Sequence, residues 1–185
     1  MPKIVDHEER RRALATAAVD AIAEGGLEDV RLADIARAAG VTTGAIAHYF
    51  PDKDAVLAAA LEEVCTRLLA RIGTPDGPPS LAEIAEALPV NKEMRKAWRV
   101  WLAYWGRAPF SEKLRLIHQQ YYLDIETALF EDLQHAVPDA RRTAQAIIAV
   151  VDGVGTRATL EPESWPPARQ RALLSQLLSP LLPAP

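Results

Sequence analysis

Residues 33–53, Ala-Asp-Ile-Ala-Arg-Ala-Ala-Gly-Val-Thr-Thr-Gly-Ala-Ile-Ala-His-Tyr-Phe-Pro-Asp-Lys, constrain the fold of this chain more than any other stretch. They read as two short helices joined by a tight glycine turn, a helix-turn-helix. Leu32, Ile35, Ala36 and Ala39 recur at spacings of three and four, which gathers apolar and small side chains on one face of the first helix. Gly40 supplies the turn. Thr42 stands where a side-chain oxygen caps the open N–H groups of a second helix, while Val41 and Ile46 are placed to pack back on the first. The second helix therefore begins near Thr42, and its exposed positions are Thr43, Gly44, Ala45, His48 and Tyr49. Small, hydroxyl and amphipathic side chains of this kind suit the floor and walls of a DNA major groove. The spacing alone also fits any helical domain with two short helices around a glycine, so both readings stand at this level.

The full string is more specific. Ile35-Ala36, Gly40-Val41-Thr42, Tyr49-Phe50 and Lys53 resemble the signature of the tetracycline-repressor (TetR) family. Within it the segment is most similar to BetI-type repressors, with the small Ala47 where other members place a tyrosine. The resemblance is strong over roughly the first third of the chain and looser beyond it. It implies an all-α, TetR-like fold of about nine helices: a three-helix DNA-binding head over 1–52 and a regulatory, ligand-binding and dimerisation bundle over 53–185. It also implies a homodimer that represses transcription, with a palindromic double-stranded DNA operator and a small-molecule effector as partners. The residues it assigns to DNA are Arg31, Thr42, Thr43, Gly44, Ala45, His48, Tyr49 and Lys53. Arg31 stands where a Ser or Thr usually caps the first helix of the motif, and Asp52 and Asp54 flank Lys53 and weaken its positive potential.

Charge narrows the mode of binding. The net charge is −4, and residues 1–54 hold seven Lys and Arg against ten Asp and Glu, so even the proposed head is acidic. A protein that coats nucleic acid indiscriminately needs local cations to displace counterions, and this one lacks them in bulk. Distribution matters more than the sum. Arg10, Arg11, Arg12, Arg31, Arg37 and Lys53 are placed to reach phosphate, with a solvated helix face as the alternative for Arg10–Arg12. Backbone N–H groups at helix N-termini carry the rest of the grip.

The remaining sequence alternates helical periodicity with breaks, without convincing strand alternation. Helix 1 is expected over 7–24, with Leu14, Ala18, Ala21 and Ile22 inward and Gly25-Gly26 ending it through a left-handed cap. Helix 4 is expected over 53–72, its broad apolar surface formed by Val56, Leu57, Ala60, Leu61, Val64, Leu68 and Leu69. Residues 73–80 form a loop on composition. Further helices are expected over 81–88, 92–107, 111–136, 139–160 and 167–178, with Pro89, Pro109 and Pro138 as punctuation. The run from Asp152 to Arg157 lies inside the eighth helix. It is no dinucleotide loop, because no strand precedes it and a third glycine is missing; Gly153 and Gly155 instead allow another helix to approach.

Two patterns admit both a packing and a functional reading. Ile147, Ile148, Val150, Val151 and Val154 on the eighth helix and Leu173, Leu174, Leu177 and Leu178 on the ninth suit either the internal core or a four-helix dimer interface. The dimerisation set is Ile147, Val151, Val154, Leu174, Leu177 and Leu178. One recognition helix reads too few base pairs, which favours the dimer. Met94, Trp98, Trp101 and Trp105 share one face of the sixth helix, with Tyr104 beside them and Tyr121 and Tyr122 on the seventh. Such a stripe is core in most proteins, yet Trp98, Trp101, Trp105, Tyr121 and Tyr122 also form a candidate site for a cationic or aromatic effector through cation–π attraction. Asp124 or Asp152 is the candidate counter-charge.

Other functions find little purchase. A helical enzyme would draw on His118, His135 or Glu62-Glu63, but the histidines are scattered and adjacent glutamates face different sides of a helix, so no catalytic residue is assigned. The single Cys65 forms no internal disulfide, no Cys/His spacing holds a metal, and no cofactor is expected. The longest apolar run, 144–151, falls far short of the roughly 20 residues a bilayer requires, and the charged stretch 6–12 is no secretory signal. A cytoplasmic protein is expected. The alternative function is a dimeric ligand-binding or interaction protein without operator binding.

Overall fold

The computed structural model describes residues 5–72 and 78–183, with side chains excepted at 5–8, 45 and 69–72. The expected loop at 73–77 and the side chain of Leu69 lie outside the described residues. The rest is α-helical: α1 (Val5–Asp29), α2 (Leu32–Ala38), α3 (Thr43–Tyr49), α4 (Lys53–Ile72), α5 (Leu81–Ala85), α6 (Lys92–Arg107), α7 (Glu112–Leu133), α8 (Ala140–Leu160) and α9 (Pro167–Leu178), with a 3₁₀ turn at Ala108–Phe110. No strand occurs among the described residues. They fall into two compact units, one of Met1–Thr66 with Arg99–Arg115, the other of Arg67–Trp98 with Leu116–Pro185.

In the first unit Leu14, Ala18 and Ile22 of α1 are buried, as are Ile35 and Ala36 of α2, Ile46 of α3, Phe50, and Val56, Leu57, Ala60, Leu61 and Val64 of α4. The regular helix of α1 breaks at Gly25-Gly26, where the two glycines place its end: Gly26 adopts φ +75, ψ 165, outside helical space and with a ψ unlike that of the expected left-handed cap, and a short second helical piece follows to Asp29. The continuation has a cause: Leu27 and Val30 are buried beyond the kink, so the chain gains apolar contact by resuming the helix. The second half of α6 belongs to this unit, with Val100, Trp101 and Tyr104 buried. Its Arg99 guanidinium donates to the Ala23 carbonyl at 2.8 Å.

In the second unit α8 packs on α9, and α5 lies against both. Three of its helix starts are capped by side chains, while α9, entered through Pro166, has no side-chain cap. Ser80 and Glu83 form a reciprocal capping box on α5, Asn91 accepts from the Met94 N–H at 2.9 Å, and Asp139 accepts from the Arg142 N–H at 3.1 Å. Helix α5 is shorter than its apolar pattern predicts. Glu86, Ala87 and Leu88 tighten into i to i−3 hydrogen bonds of 3.1 Å ahead of Pro89, whose ring disfavours a helical predecessor. That early stop leaves the Ala87 carbonyl for the Trp98 indole, which donates to it at 2.8 Å.

Candidate nucleic-acid interface and effector site

The turn between α2 and α3 is built by its sequence. Gly40 has φ +68; its N–H bonds the Arg37 carbonyl at 3.2 Å and the Val41 N–H bonds the Ala36 carbonyl at 2.9 Å. That pair of bonds is a Schellman cap, which needs a left-handed residue and so favours glycine. Ile35 and Ile46, both fully buried, fix α3 against α2. Ile46 inward turns Thr42, Thr43, Gly44, Ala47 and His48 outward, with Tyr49 half-buried and edge-on to His48 at 6.1 Å between ring centroids. The side chain of Ala45 lies outside the described residues. Arg31 precedes α2 with extended backbone and makes no side-chain cap; its side chain is exposed.

Most other cations of the head are engaged within the first unit. Arg11 meets Glu62 at 2.9 Å, Arg12 approaches the buried Glu63 at 3.7 Å, and Arg37 pairs with Asp34. Lys53 donates to the Glu28 carbonyl at 2.7 Å and to that of Leu27 at 3.3 Å, so two of its three N–H groups hold the end of α1. The two aspartates beside it have work of their own. Asp52 caps α4 by accepting from the Ala55 N–H at 2.7 Å. Asp54 accepts from Arg107 Nε and, at 2.9 Å, from the Ser111 hydroxyl, and the Arg107 hydrogen bond holds its carboxyl below the usual range. This clasp spans 53 positions of sequence, and no local spacing announces it.

The five aromatic residues divide between the units. Trp101 and Trp105 lie in the first, 5.8 Å apart between ring centroids, with Tyr104 edge-on to Trp101. Trp98, Tyr121 and Tyr122 lie in the second. Trp98 is 4% exposed and its ring covers Gly155, where an added Cβ would stand 2.0 Å from Cζ2. Only Gly155 of the two glycines in α8 serves close approach; Gly153 has nothing within 4 Å of such a Cβ. Tyr122 donates its hydroxyl to Asp152 Oδ2 at 2.7 Å, and the His118 ring lies 4.3 Å from that of Tyr122. Burial pushes the Asp152 carboxyl up to about 6, the Tyr122 hydrogen bond opposing it, and burial lowers His118 from its ordinary value. Asp124 is exposed and accepts from Gln120 at 2.8 Å, so of the two candidate carboxylates Asp152 is the sheltered one. His118 was not among the expected ligand residues; its i, i+4 spacing to Tyr122 was the available signal.

Four of the six residues of the dimerisation set are buried within the protomer. Ile147, Val154, Leu174 and Leu178 are at most 4% exposed and fill the core of the second unit. The same three-to-four spacing that makes an interface stripe also packs α8 on α9, and here it does the latter. Val151 remains half-buried and Leu177 is 46% exposed. Among the described residues no group of His, Cys, Asp or Glu is arranged to hold a metal, and no helix is long and apolar enough to cross a membrane. Cys65 is buried, which pushes its thiol up to about 12.

Residues 14–60 match the model for bacterial regulatory proteins of the tetR family, and residues 81–183 that for the C-terminal domain of BetI-type transcriptional repressors. Over 195 aligned residues the sequence is 31% identical to the HTH-type transcriptional regulator BetI of Klebsiella pneumoniae (strain 342), covering 100% of both chains. The fold superposes on a transcriptional regulator from Rhodococcus sp. Rha1 with TM-score 0.82 at 29% identity, covering 92% of this chain and 95% of that one. It also superposes, with TM-score 0.71 at 24% identity and coverage of 93% and 96%, on a Saccharomonospora viridis protein described as a transcriptional regulator in complex with choline.

Proposed function

The chain belongs to the TetR family of bacterial regulators and is a BetI-like transcriptional repressor rather than an enzyme, and from that premise we propose that it acts in the cytoplasm as a homodimer whose two α3 helices read a palindromic operator. The observation that carries this reading is the exposed row Thr42, Thr43, Gly44 and His48, held outward by the buried Ile46 and the Gly40 cap. A row without long charged side chains lets α3 lie deep in the major groove, where threonine methyls meet thymine and His48 reaches a base edge. Arg31 takes phosphate, together with the N-terminal N–H groups of the helices and Lys53, whose ammonium is shared with the Glu28 carboxylate at 3.9 Å. In this reading residues 1–52 form the head and residues 53–185 the regulatory part. The dimer face uses Val151 and Leu177 with the neighbouring half-buried Ile148 and Leu173, since the other four expected positions are consumed inside the protomer.

The effector is a small organic cation. Choline, held by the Saccharomonospora viridis relative, is the first compound to test. Effector and operator favour different global states, so each weakens the other's binding by the same factor. Gel-shift titration against DNA upstream of the protein's own coding sequence, with and without choline, tests the cycle: a discrete complex that the ligand weakens is expected. The pairing of Arg11, Arg12 and Arg37 with Glu62, Glu63 and Asp34 favours a second reading, a ligand-binding protein without operator affinity. Absence of any complex at low salt would select it.

A further inference from the structure

Asp152 is a carboxylate in an unusual setting within the second unit. It sits in the middle of α8, half-buried, and one oxygen accepts the Tyr122 hydroxyl at 2.7 Å. An ionised carboxylate offers about four acceptor positions, and no ion pair reaches this one among the described residues. The groups around it explain why. On α7 the facing titratable residues are Tyr122 itself and His118, whose ring lies on that of Tyr122. From α6 comes Trp98, which covers Gly155 one turn further along α8 and carries no ionisable group. The neighbours a turn away on α8, Ile148, Gly155 and Thr156, are uncharged. The cations of α9 are committed elsewhere, Arg171 to Glu86 of α5 and Arg169 over the Trp165 ring. Glu83 of α5 closes the cap at Ser80.

A sheltered carboxylate without a cation, bonded to Tyr122 with the His118 ring beside that tyrosine, is half of a binding site. We propose that Asp152 is the anion that receives a singly charged organic ammonium effector, that Tyr122 and His118 form its aromatic wall, and that the cation enters in exchange for a proton. This rests on the ligand-responsive reading above and adds to it a residue and a linkage. The exchange balances: below about pH 6, where the carboxyl is mostly protonated, it releases its proton to solvent as the ammonium arrives and the site keeps the same net charge, whereas at higher pH the ionised carboxylate takes the cation without proton release. Aromatic faces attract such a cation by their quadrupoles, most strongly where water is excluded.

Because burial pushes Asp152 up to about 6, the linkage falls in an accessible range. Calorimetric titration of the full-length protein with choline, in buffers of differing ionisation enthalpy, is expected to show about half a proton released at about pH 6, and affinity about tenfold weaker at about pH 5 than at neutrality. Asp152→Asn keeps an acceptor for Tyr122 and is expected to abolish binding. Tyr122→Phe removes the bond that lowers the carboxyl, so the midpoint of the pH profile moves upward. A neutral carbon isostere of choline is expected not to bind. A carboxyl-carbon NMR titration of Asp152 in the wild-type protein reads the same group without any variant, and its midpoint is expected to drop when choline is added. The inference is overturned by proton-independent binding, by equal binding to Asp152→Asn, or by failure of choline, tetramethylammonium and ethanolammonium alike to bind the wild-type chain. Operator affinity, measured separately, then decides whether the repressor reading stands without it.

Discussion

The close contact of Trp98 with Gly155 gives the sharpest test of the second unit's packing. Alanine at 155 would place its Cβ 2.0, 2.2 and 2.5 Å from three atoms of the indole, whereas carbon contacts settle at about 3.5–4.0 Å. The ring must therefore retreat by about 1.5 Å. It has little room to do so, being 4% exposed and anchored by its N–H to the Ala87 carbonyl. Overpacking of this kind costs about 1–3 kcal/mol, and a buried indole N–H pulled from its acceptor adds about 1–3 kcal/mol. The better helix propensity of alanine offsets about 1 kcal/mol. The expected net loss is about 1–5 kcal/mol, or a fall in melting temperature of about 2–20 °C for a chain of this size. Gly153→Ala is the internal control, since nothing stands within 4 Å of its new methyl; a gain of up to about 1 kcal/mol is expected there. Thermal and urea unfolding of both variants, of Trp98→Phe alone, and of Gly155→Ala combined with Trp98→Phe, complete a double-mutant cycle. Equal stability of the two alanine variants, or strict additivity in the cycle, would refute the contact.

Gly26→Ala is expected to destabilise by about 1–3 kcal/mol in urea unfolding, because φ +75 with ψ 165 lies in a region open almost only to glycine; no loss would mean that the kink is absent. His48→Ala is expected to lower operator affinity by about 1–3 kcal/mol with the melting temperature unchanged, and an unaltered gel shift would remove His48 from the reading surface. Asp152 has a folded-state pKa raised from 3.8 to about 6, so the folded protein binds the extra proton and stability declines as pH rises through that window. The penalty is absent below the unfolded value and complete above the folded one. Asp152→Asn should therefore stabilise the protein by roughly 1–3 kcal/mol at about pH 8, with the advantage fading toward about pH 4. A pH-independent difference in urea midpoints would contradict the burial of that carboxyl.

Much of the fold was legible because local signals and tertiary packing agree. Pro109 and the Asn91 cap bracket α6, and Pro167 opens α9, so both helices occupy the expected residues. Gly25-Gly26 marks the break in α1, whereas the short helical piece that follows goes with the burial of Leu27 and Val30, which no glycine signal announces. Periodicity placed Ile147, Val154, Leu174 and Leu178 on stripes but says nothing of what a stripe touches; the answer was the protomer's own core. On the head, spacing located the exposed face of α3, whereas the engagement of Lys53 with the end of α1 depends on contacts 25 and 26 positions away. The Asp152–Tyr122 bond likewise joins α8 to α7 across 30 positions, which no window of sequence contains.

Selection of binding sites from a random DNA pool by the purified full-length protein, with the mass of the retained complex determined, bears most directly on α3 as the reading element. Enrichment of one inverted repeat whose half-sites lie about one helical turn apart or a multiple of it, bound by an even number of chains and lost with His48→Ala, is the expected result. Enrichment of no sequence, or of a lone half-site held by a single chain, would contradict the account.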